Sequence, residues 1–398
     1  MKINRIDIYH FSRPFSIRFH SPQAFRIQAD SLLLAIVLEN GITGWGECVP
    51  RPYVTGETRE SVTDTLGRIA APLLFDARIE HVEEVGGLID QLDKECHTRH
   101  MAPCQCVLAA VDLALIDAVG QLKCQSLDML LSRPERVKTV LTSLSIPFLN
   151  ETVIRDLFPM LREKLDLKAA KVILGDDIRE NSRRVAMVRK LGGRELDLRI
   201  EANGKWTLET ALKQMNALEG FGLTGVEQPL RPDDIEGLKA FRKQVGLPVI
   251  LDESVCSVDD VRRLLDADAC DVFNIKVSKC GGLQSSIKMV EMVEAGGKRC
   301  QVGTHVGETE ILGNAAAFLS KSVVTGDLWA DIGSRILLIQ ADTPMKGTPP
   351  GRDRVAPWGL GLDQDYLETL KAGGERVAVY DRPSRRPGAA AARIGQSG

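Results

Sequence analysis

The sequence predicts an α/β protein: a (β/α)8 barrel of the TIM type, preceded by a smaller α+β domain. From Lys138 onward, eight short apolar runs alternate with amphipathic helical segments. Repeated βα units of this kind form a parallel sheet, and eight of them close into a barrel. The chain has 398 residues, of which 44% are hydrophobic. That is too long for one small core and suits a barrel with a partner domain.

The first part of the chain has the pattern of a small α+β domain. Ser31–Glu39 is predicted to be a strand, Asn40-Gly41 a tight turn and Ile42–Trp45 the returning strand of a hairpin. Residues 58–131 are predicted to be helical. They include Val107–Val119, whose apolar residues nearly encircle the helix, so we expect this helix to be buried.

The barrel strands are recognised as short β-type runs, each followed by a helical segment. A doubly wound open sheet is the alternative, but no GxGxxG phosphate loop follows any of the strands. Arg376–Asp381 is predicted to be a last strand that returns to the first domain. The predicted barrel strands are 139–146, 169–174, 196–202, 223–227, 248–252, 271–276, 299–304 and 325–331. The predicted divisions are 1–130 for the α+β domain, 131–360 for the barrel, 361–382 for the returning segment and 383–398 for a disordered tail of low complexity.

Bulk properties exclude several classes of function. The formal net charge of -3 and the sequence pI of ≈ 6.2 give no positive field for nucleic acid. No run approaches the ~18 uncharged apolar residues of a membrane span, and the N-terminus resembles a strand rather than a signal peptide. The nine cysteines are scattered, without a zinc pattern, and are expected to be reduced thiols. We therefore expect a cytoplasmic protein without nucleic-acid or membrane partners.

Four charged residues recur at the ends of neighbouring predicted barrel strands. Glu201 ends the third strand, Glu227 the fourth, Asp252 the fifth and Lys276 the sixth, at intervals of 26, 25 and 24 residues. One βα repeat separates each from the next, so all four lie on the carboxyl-terminal rim, where barrel enzymes place their active sites. The alternative is that each acid caps the following helix or pairs with a lysine, but the shared register favours a common site.

The three carboxylates predict a metal site. Converging carboxylates in an apolar barrel mouth repel one another, and a hard divalent cation removes that repulsion. Oxygen ligation with room for water and substrate is typical of Mg²⁺. Lys276 would then lie beside a doubly charged ion, which should lower its pKa and leave neutral amine to act as a base.

The chain resembles the enolase superfamily, specifically its muconate-lactonizing subgroup, over roughly residues 1–382. The resemblance implies that Glu201, Glu227 and Asp252 bind Mg²⁺, which chelates the substrate carboxylate. It also implies that Lys276 is an acid/base and that the N-terminal domain caps the site. In the chemistry generally attributed to this superfamily, a lysine removes the proton and Mg²⁺ stabilises the enolate that results. The motifs that carry the resemblance are GWGE (Gly44–Glu47), TGET (Thr55–Thr58), the Val107–Gly120 helix, EAN (Glu201–Asn203), EQPL (Glu227–Leu230), LDES (Leu251–Ser254), NIKVSKCGG (Asn274–Gly282) and GLGLD (Gly359–Asp363).

The chain departs from this subgroup at the second barrel strand. The family carries Lys-x-Lys there, and its second lysine faces Lys276 across the substrate. Here Lys171 is present, but Ile173 occupies the second position and cannot move a proton. His305, at the end of the seventh strand, is a candidate replacement, although a histidine there can equally be structural. The predicted catalytic set is therefore Lys276, Lys171 and His305.

Substrate specificity is expected to come from the loops of the first domain and from the barrel rim. Arg51, in the segment after GWGE, is a candidate for a second anionic group of the substrate, although a solvated surface arginine is the alternative. Asp331 would contact substrate or cap the next turn. The predicted substrate-binding residues are Arg18, His20, Tyr53, Asn203, Glu308 and Asp331.

These residues predict a Mg²⁺-dependent enzyme that removes the α-proton of a small carboxylate through a metal-stabilised enolate. With one lysine, a lyase or cycloisomerase outcome on one face is the simplest interpretation. A racemase or epimerase that uses Lys276 and His305 is the first alternative. A non-catalytic metal-binding or ligand-binding relative is the second. We also expect a homo-oligomer.

Overall fold

The first sheet is antiparallel and contains four strands. The structure is a computed structural model that describes residues 1–136, 143–149, 151–324 and 358–383. The strand order is β11-β1-β2-β3, so the last described strand pairs with the first. Gly41 has a φ of +87° in the turn between β2 and β3, and its N–H donates to the carbonyl of Leu38 at 3.0 Å. The strands are β1 (Ile3–His20), β2 (Phe25–Leu38), β3 (Thr43–Cys48) and β11 (Gly374–Asp381).

Helices cover one face of this sheet. The fourth of them, α4 (Gln105–Lys123), is long and apolar enough to cross a membrane by composition, but 83% of its apolar window is buried inside the protein. It packs directly on β3 because Gly46 has no side chain: a Cβ there would lie 1.9 Å from the carbonyl oxygen of Ala110. The other helical segments are α1 (Arg59–Thr65), a π-helical turn (Leu66–Ala70), α2 (Ala71–Asp76), α3 (Glu83–Thr98) and α5 (Leu127–Leu130).

The second sheet is parallel, curved and seven-stranded in the described part of the chain. In its order, β10-β9-β8-β7-β6-β5-β4, each strand lies beside its neighbour in the sequence, as in a barrel. The predicted fold class is confirmed, whereas the predicted eighth strand at 325–331 lies outside the described residues, as does the tail from residue 384. The strands are β4 (Ser143–Ile146), β5 (Ala169–Ile173), β6 (Asp197–Glu201), β7 (Gly225–Glu227), β8 (Val249–Leu251), β9 (Val272–Ile275) and β10 (Arg299–Val302).

Amphipathic helices connect the strands of the parallel sheet. Several begin at a side chain that accepts a backbone N–H, as at Asp177, Thr207 and Ser257. The exact domain divisions remain predictions. The helices are α6 (Glu151–Leu165), α7 (Ile178–Gly192), α8 (Leu208–Ala217), α9 (Ile235–Gln244), α10 (Val258–Ala267), α11 (Leu283–Ala295), α12 (Glu310–Phe318) with a π-helical turn (Leu319–Val323), and α13 (Gln364–Gly373).

Buried acids of the N-terminal sheet and helices cap helices of the barrel. Glu47 accepts hydrogen bonds from the N–H and hydroxyl of Thr309 and from the N–H of Leu312, at the start of α12. Asp112, on α4, accepts the N–H of Leu283 at 2.6 Å, at the start of α11. Each carboxylate satisfies helix N–H groups that have no partner within the helix. These contacts fix the N-terminal elements against the barrel.

We expect Asp112 to make stability depend on pH. Burial raises its pKa from 3.8 to about 6, so the native state holds this proton more tightly than the unfolded chain. Its contribution is therefore complete below about pH 4 and is lost as the pH rises through 6. The free energy of unfolding of the wild type, relative to Asp112→Asn, should increase by about 2 kcal/mol between pH 7.5 and pH 4.

Urea unfolding at a series of pH values measures this difference. Asp90→Asn is the matched control, because the Asp90 side chain is largely exposed. Equal pH profiles for the wild type and Asp112→Asn would contradict the assignment.

Candidate active site

Three carboxylates converge at the carboxyl ends of three neighbouring parallel strands. Glu201 ends β6, Glu227 ends β7 and Asp252 directly follows β8. One oxygen from each lies within 4.8 Å of the other two, and all three residues are buried. The register places Glu201 directly beside Glu227, because these two residues are paired across β6 and β7. The spacing seen in the sequence therefore corresponds to a single cluster.

Three lysines lie in ion-pair contact with the three acids, and Lys171 and Lys276 make the shortest contacts. Lys171 Nζ is 2.9 Å from an oxygen of Glu201 and 2.7 Å from an oxygen of Glu227. Lys276 Nζ donates to Asp252 Oδ2 at 2.5 Å. Lys171 is thus directed at the carboxylate cluster from β5, whereas Lys276 contacts it from the end of β9.

The crowding of charge displaces the pKa values of the acids in opposite directions. Burial and the neighbouring Glu227 raise the pKa of Glu201 well above its usual range. Burial also disfavours the Asp252 carboxylate, but Lys276, Lys279 and Lys171 more than offset this, so its pKa is lowered. Burial disfavours the Lys276 ammonium, but Asp252 more than offsets it, so the pKa of Lys276 is raised. The cluster is an environment that favours cations.

Neighbouring polar side chains hold the carboxylates in place. The Asn274 amide donates to Glu227 Oε1 at 2.9 Å, and Gln301 donates to its other oxygen at 3.3 Å. The amide oxygen of Gln228 accepts the N–H of Asp252 at 2.9 Å. Lys279 is fully buried and donates to the carbonyls of Asp252 and Asn274, at 2.8 and 2.9 Å. This buried lysine joins the loops after β8 and β9.

The donor set fits a metal ion. Asp252 Oδ1 is buried and accepts no hydrogen bond in the described structure, and Lys279 Nζ is 3.5 Å from it. An unsatisfied buried carboxylate oxygen is costly unless a cation or donor meets it. Three carboxylates without nitrogen or sulfur donors suit a hard, oxygen-preferring cation.

A pocket opens above the carboxylates, and Ile173 forms part of its wall. Lys171, Ile173 and Lys276 all line this pocket, and Ile173 is only 4% exposed. Three strands, β6 to β8, separate β5 from β9, so Ile173 and Lys276 belong to facing parts of the curved sheet. In the described structure the wall facing Lys276 is therefore apolar at Ile173, the position where the resemblance led us to expect a second lysine.

His305 also lines the pocket, but it follows β10, which is the strand next to β9. It is 8% exposed, and neither ring nitrogen has a hydrogen-bond partner in the described structure. Burial, with the positive charges of Lys276 and Arg51, lowers its pKa well below the usual value. The ring is therefore neutral at physiological pH and lies on the same side of the pocket as Lys276.

Several pocket residues had no individual signal in the sequence. The Gln23 amide, from the turn between β1 and β2, donates to Glu253 Oε1 at 2.8 Å and to the carbonyl of Asn203 at 2.7 Å. Burial and the charge of Asp252 raise the pKa of Glu253 to about 7. Glu253 is part of the LDES motif, whereas nothing in the sequence marked Gln23 as a contact between this hairpin and the rim.

The predicted substrate-binding residues fall in three places. Tyr53 and Asn203 line the pocket. His20 packs edge-on against Phe148, and Glu308 accepts the N–H of His305 at 2.6 Å; neither of these two lines the pocket. The side chain of Arg18 and the whole of Asp331 lie outside the described residues.

Comparison with known families identifies the class of protein. Residues 5–132 match the N-terminal domain of the mandelate racemase / muconate lactonizing enzyme family, and residues 156–357 match the enolase C-terminal domain-like family. The chain belongs to this family of the enolase superfamily. The predictions of superfamily and of an enzyme are thereby confirmed.

Individual relatives differ in the reactions that their names describe. The chain is 29% identical to a hydrophobic dipeptide epimerase from Enterococcus faecalis, over 81% of this chain and 88% of that protein. It is 30% identical to muconate cycloisomerase 1 from Rhodococcus opacus, over 69% of this chain and 72% of that protein. The crystal structure of a dipeptide epimerase from Enterococcus faecalis with Mg and L-Leu-L-Tyr is 28% identical, with a TM-score of 0.75 over 86% of this chain and 93% of that one.

Proposed function

We propose that this protein is a Mg²⁺-dependent lyase or cycloisomerase that removes the α-proton of a small carboxylate with Lys276. Glu201, Glu227 and Asp252 hold the ion in this proposal. The observation that carries it is the pocket wall: Lys276 is on one side, and Ile173 is at the facing position. The Mg²⁺ complex of the related epimerase supports the choice of metal.

In this proposal the ion stabilises negative charge, while side chains position the carboxylates and transfer the proton. When bound, Mg²⁺ supplies the positive charge that stabilises the second negative charge of a deprotonated carboxylate. Lys171 pairs with two of the carboxylates and so positions them, while Asn274 and Gln301 fix the orientation of Glu227. Lys276 is the group beside the cluster that accepts the proton, because the charge of a bound ion would oppose that of Asp252, lower the pKa of Lys276 and leave neutral amine.

One base on one face suits elimination better than inversion. Lys276 takes the α-proton as the C–H bond breaks. As the bond from the β-carbon to the leaving group breaks and the C=C bond forms, the same ammonium gives the proton to the leaving group. In a cycloisomerase, the lysine protonates or deprotonates the α-carbon while the β-carbon bond to an internal oxygen forms or breaks. Neither outcome needs a proton donor at Ile173.

An epimerase is the second candidate, and His305 is the observation that favours it. Its two ring nitrogens have no hydrogen-bond partner in the described structure, and the ring lines the pocket. Inversion, however, needs groups on opposite faces of the α-carbon, whereas His305 and Lys276 follow adjacent strands. His305→Asn should leave a lyase nearly unchanged and should abolish inversion in an epimerase.

The test is a panel of carboxylic acids in D₂O with Mg²⁺, followed by NMR. Acids with a hydroxyl, acyloxy or amine group at the β-carbon should lose that group by elimination. Removal of Mg²⁺ with EDTA should stop the reaction. Binding of acids without any exchange or elimination would instead favour a non-catalytic relative. Cytoplasmic location and homo-oligomerisation remain predictions.

Restoring the family pattern should add a second proton-transfer face. Ile173→Lys places an amine opposite Lys276, and burial should lower its pKa, so that it exchanges protons with the enolate. We expect α-deuterium with inverted configuration in this variant, and a loss of stability, because an ammonium in an apolar slot is costly. Chiral chromatography with mass spectrometry measures the inversion, and thermal unfolding measures the stability.

Ile173→Met is the matched control, since methionine is of similar size and cannot transfer a proton. If Ile173→Lys folds and binds Mg²⁺ but yields no inverted product, Ile173 does not face the α-carbon. Inversion by Ile173→Met would contradict the account as well.

A further inference from the structure

A buried arginine lies on the same face of β6 as one of the clustered acids. Arg199 comes two residues before Glu201, so the two side chains project from the same side of the strand. Arg199 is only 4% exposed. Its register partner on β7 is Gly225, which contributes no side chain at this level; a Cβ there would lie 3.6 Å from Arg199 Cγ. The long side chain of Arg199 therefore has room to extend past β7.

The guanidinium of Arg199 contacts a strand on another part of the curved sheet. Its Nη1 donates to the amide oxygen of Gln301, on β10, and three strands, β7 to β9, separate β10 from β6. Its Nε lies 3.7 Å from an oxygen of Asp197, on its own strand. Nε and Nη2 are buried and make no hydrogen bond within the described part of the chain. A buried charge with so few partners is costly to the fold, so its contact with Gln301 points to a role other than stability.

Gln301 connects this arginine to the central acid of the cluster. Its amide nitrogen donates to Glu227 Oε2 at 3.3 Å. A guanidinium only donates hydrogen bonds and a carboxylate only accepts them, so both contacts require the same orientation of the amide. The oxygen must face Arg199 and the nitrogen must face Glu227. If Arg199 were removed, the amide could turn over and place its oxygen against the carboxylate.

An amide between the two charges leaves part of the carboxylate available. Lys171 and Asn274 donate to Glu227 Oε1, at 2.7 and 2.9 Å, and Gln301 donates to Oε2. A carboxylate accepts about four hydrogen bonds, so Oε2 keeps a lone pair for a cation. A guanidinium in bidentate contact with Glu227 would occupy both oxygens and compete with a metal ion. Among the described residues, Arg199 forms no ion pair with Glu227.

We infer that Arg199 is a positioning residue for the metal site and acts on Glu227 through Gln301. The inference rests on the part of the proposed function that places a cation at the three carboxylates, and it holds for any reaction that follows. Neither Arg199 nor Gln301 is one of the clustered acids. Groups that orient a metal ligand in this way change metal affinity by about 10- to 100-fold.

The Mg²⁺ affinity of the metal-free full chain, measured by calorimetric titration, tests this inference. Arg199→Met should weaken Mg²⁺ binding about 10-fold, because the Gln301 amide loses the group that orients it. The direction of the change is informative, since removal of a buried positive charge would by itself strengthen the binding of a cation. Arg199→Lys keeps a charged donor and should restore most of the affinity.

A double-mutant cycle shows whether Arg199 acts through Gln301. Gln301→Met has a side chain of similar size, removes both hydrogen bonds and should also weaken Mg²⁺ binding about 10-fold. In that background, Arg199→Met should cause no further loss, because the arginine no longer has an amide to orient. A general structural role of Arg199 would instead cause the same loss in both backgrounds.

Arg189→Met is the matched control. Arg189, on α7, donates to the backbone carbonyls of Phe221 and Gly222, each at 2.8 Å, and does not contact the clustered acids. Its replacement should lower the temperature of thermal unfolding and leave the Mg²⁺ affinity unchanged.

The outcomes separate this inference from the proposed function. Unchanged or tighter Mg²⁺ binding in Arg199→Met, or additive losses in the cycle, would overturn the role of Arg199 and leave the proposed function standing. If Arg199→Met does not fold, Gln301→Met decides: a 10-fold loss supports the inference, and wild-type affinity overturns it. If the wild type binds no Mg²⁺, the proposed function fails, and this inference fails with it.

Discussion

Replacing Lys276 with alanine is expected to reduce the rate of α-proton loss by ~10³-fold or more, the upper part of the range for a positioned general base. The reason is geometric. Lys276 is the pocket lysine on the side facing Ile173, whereas the other pocket lysine in the described structure, Lys171, is held between Glu201 and Glu227. Deuterium exchange at the α-carbon, followed by NMR, measures the loss without knowledge of the final product.

The variant should keep its fold and its metal. Lys288→Ala is the matched control, because Lys288 is half-exposed on α11 and pairs with Asp90 away from the pocket. Removal of the lysine leaves a small space beside Asp252, so added methylamine should restore part of the exchange. Exchange at the wild-type rate in Lys276→Ala would assign the base to another residue.

Replacing Glu227 with glutamine is expected to weaken Mg²⁺ binding by at least ~100-fold, because the site loses one of its three charges. Glu227 is the central acid of the cluster: it is fully buried, lies beside Glu201 in the sheet register, and receives hydrogen bonds from Lys171, Asn274 and Gln301. Glutamine is similar in shape, so the change removes charge with little loss of packing. Calorimetric titration with Mg²⁺ measures the affinity.

Glu253→Gln is the control for this prediction. Glu253 is also buried and follows Asp252 directly, but it points to Gln23 and Asn203 and is not one of the three clustered acids. We expect a much smaller loss of affinity there. Equal losses in the two variants would mean that total negative charge, rather than ligation by Glu227, determines binding.

The sequence was sufficient to predict the carboxylate cluster because its geometry follows from the βα repeat. Strand ends in a parallel barrel meet at one rim, so intervals of one βα unit bring Glu201, Glu227 and Asp252 together. The identity of Ile173 as a pocket residue follows equally, since Lys171 and Ile173 are two apart on one strand and share a face. These features depend on local periodicity, which a sequence records directly.

Contacts between distant parts of the chain could not be predicted from the sequence in the same way. Whether Lys171 would point to the substrate or to the acids depends on the side-chain packing between β5 and β7. The approach of Gln23 to Glu253 depends on how the long β1–β2 hairpin lies over the rim, which no local pattern encodes. Arg51 was noticed as a candidate, but its burial without an acidic partner is apparent only in three dimensions.

The pocket wall that faces Lys276 bears on which of its relatives' reactions this protein catalyses. The related proteins include epimerases and a cycloisomerase, and this chain shares its fold with solved structures of both kinds of enzyme. A shared fold therefore does not choose between these reactions, and the residues at the α-carbon must do so. In this chain, Ile173 leaves Lys276 and its neighbour His305 on one side of the pocket.

The stereochemistry of deuterium uptake tests this account most directly. An enantiopure acid that the enzyme turns over is incubated in D₂O with Mg²⁺, and the recovered substrate is analysed for deuterium and configuration at the α-carbon. A single face served by Lys276 predicts deuterium with retention of configuration, in competition with elimination or cyclisation. Deuterium that appears with inversion in the wild type would show a second proton donor opposite Lys276 and would contradict the account.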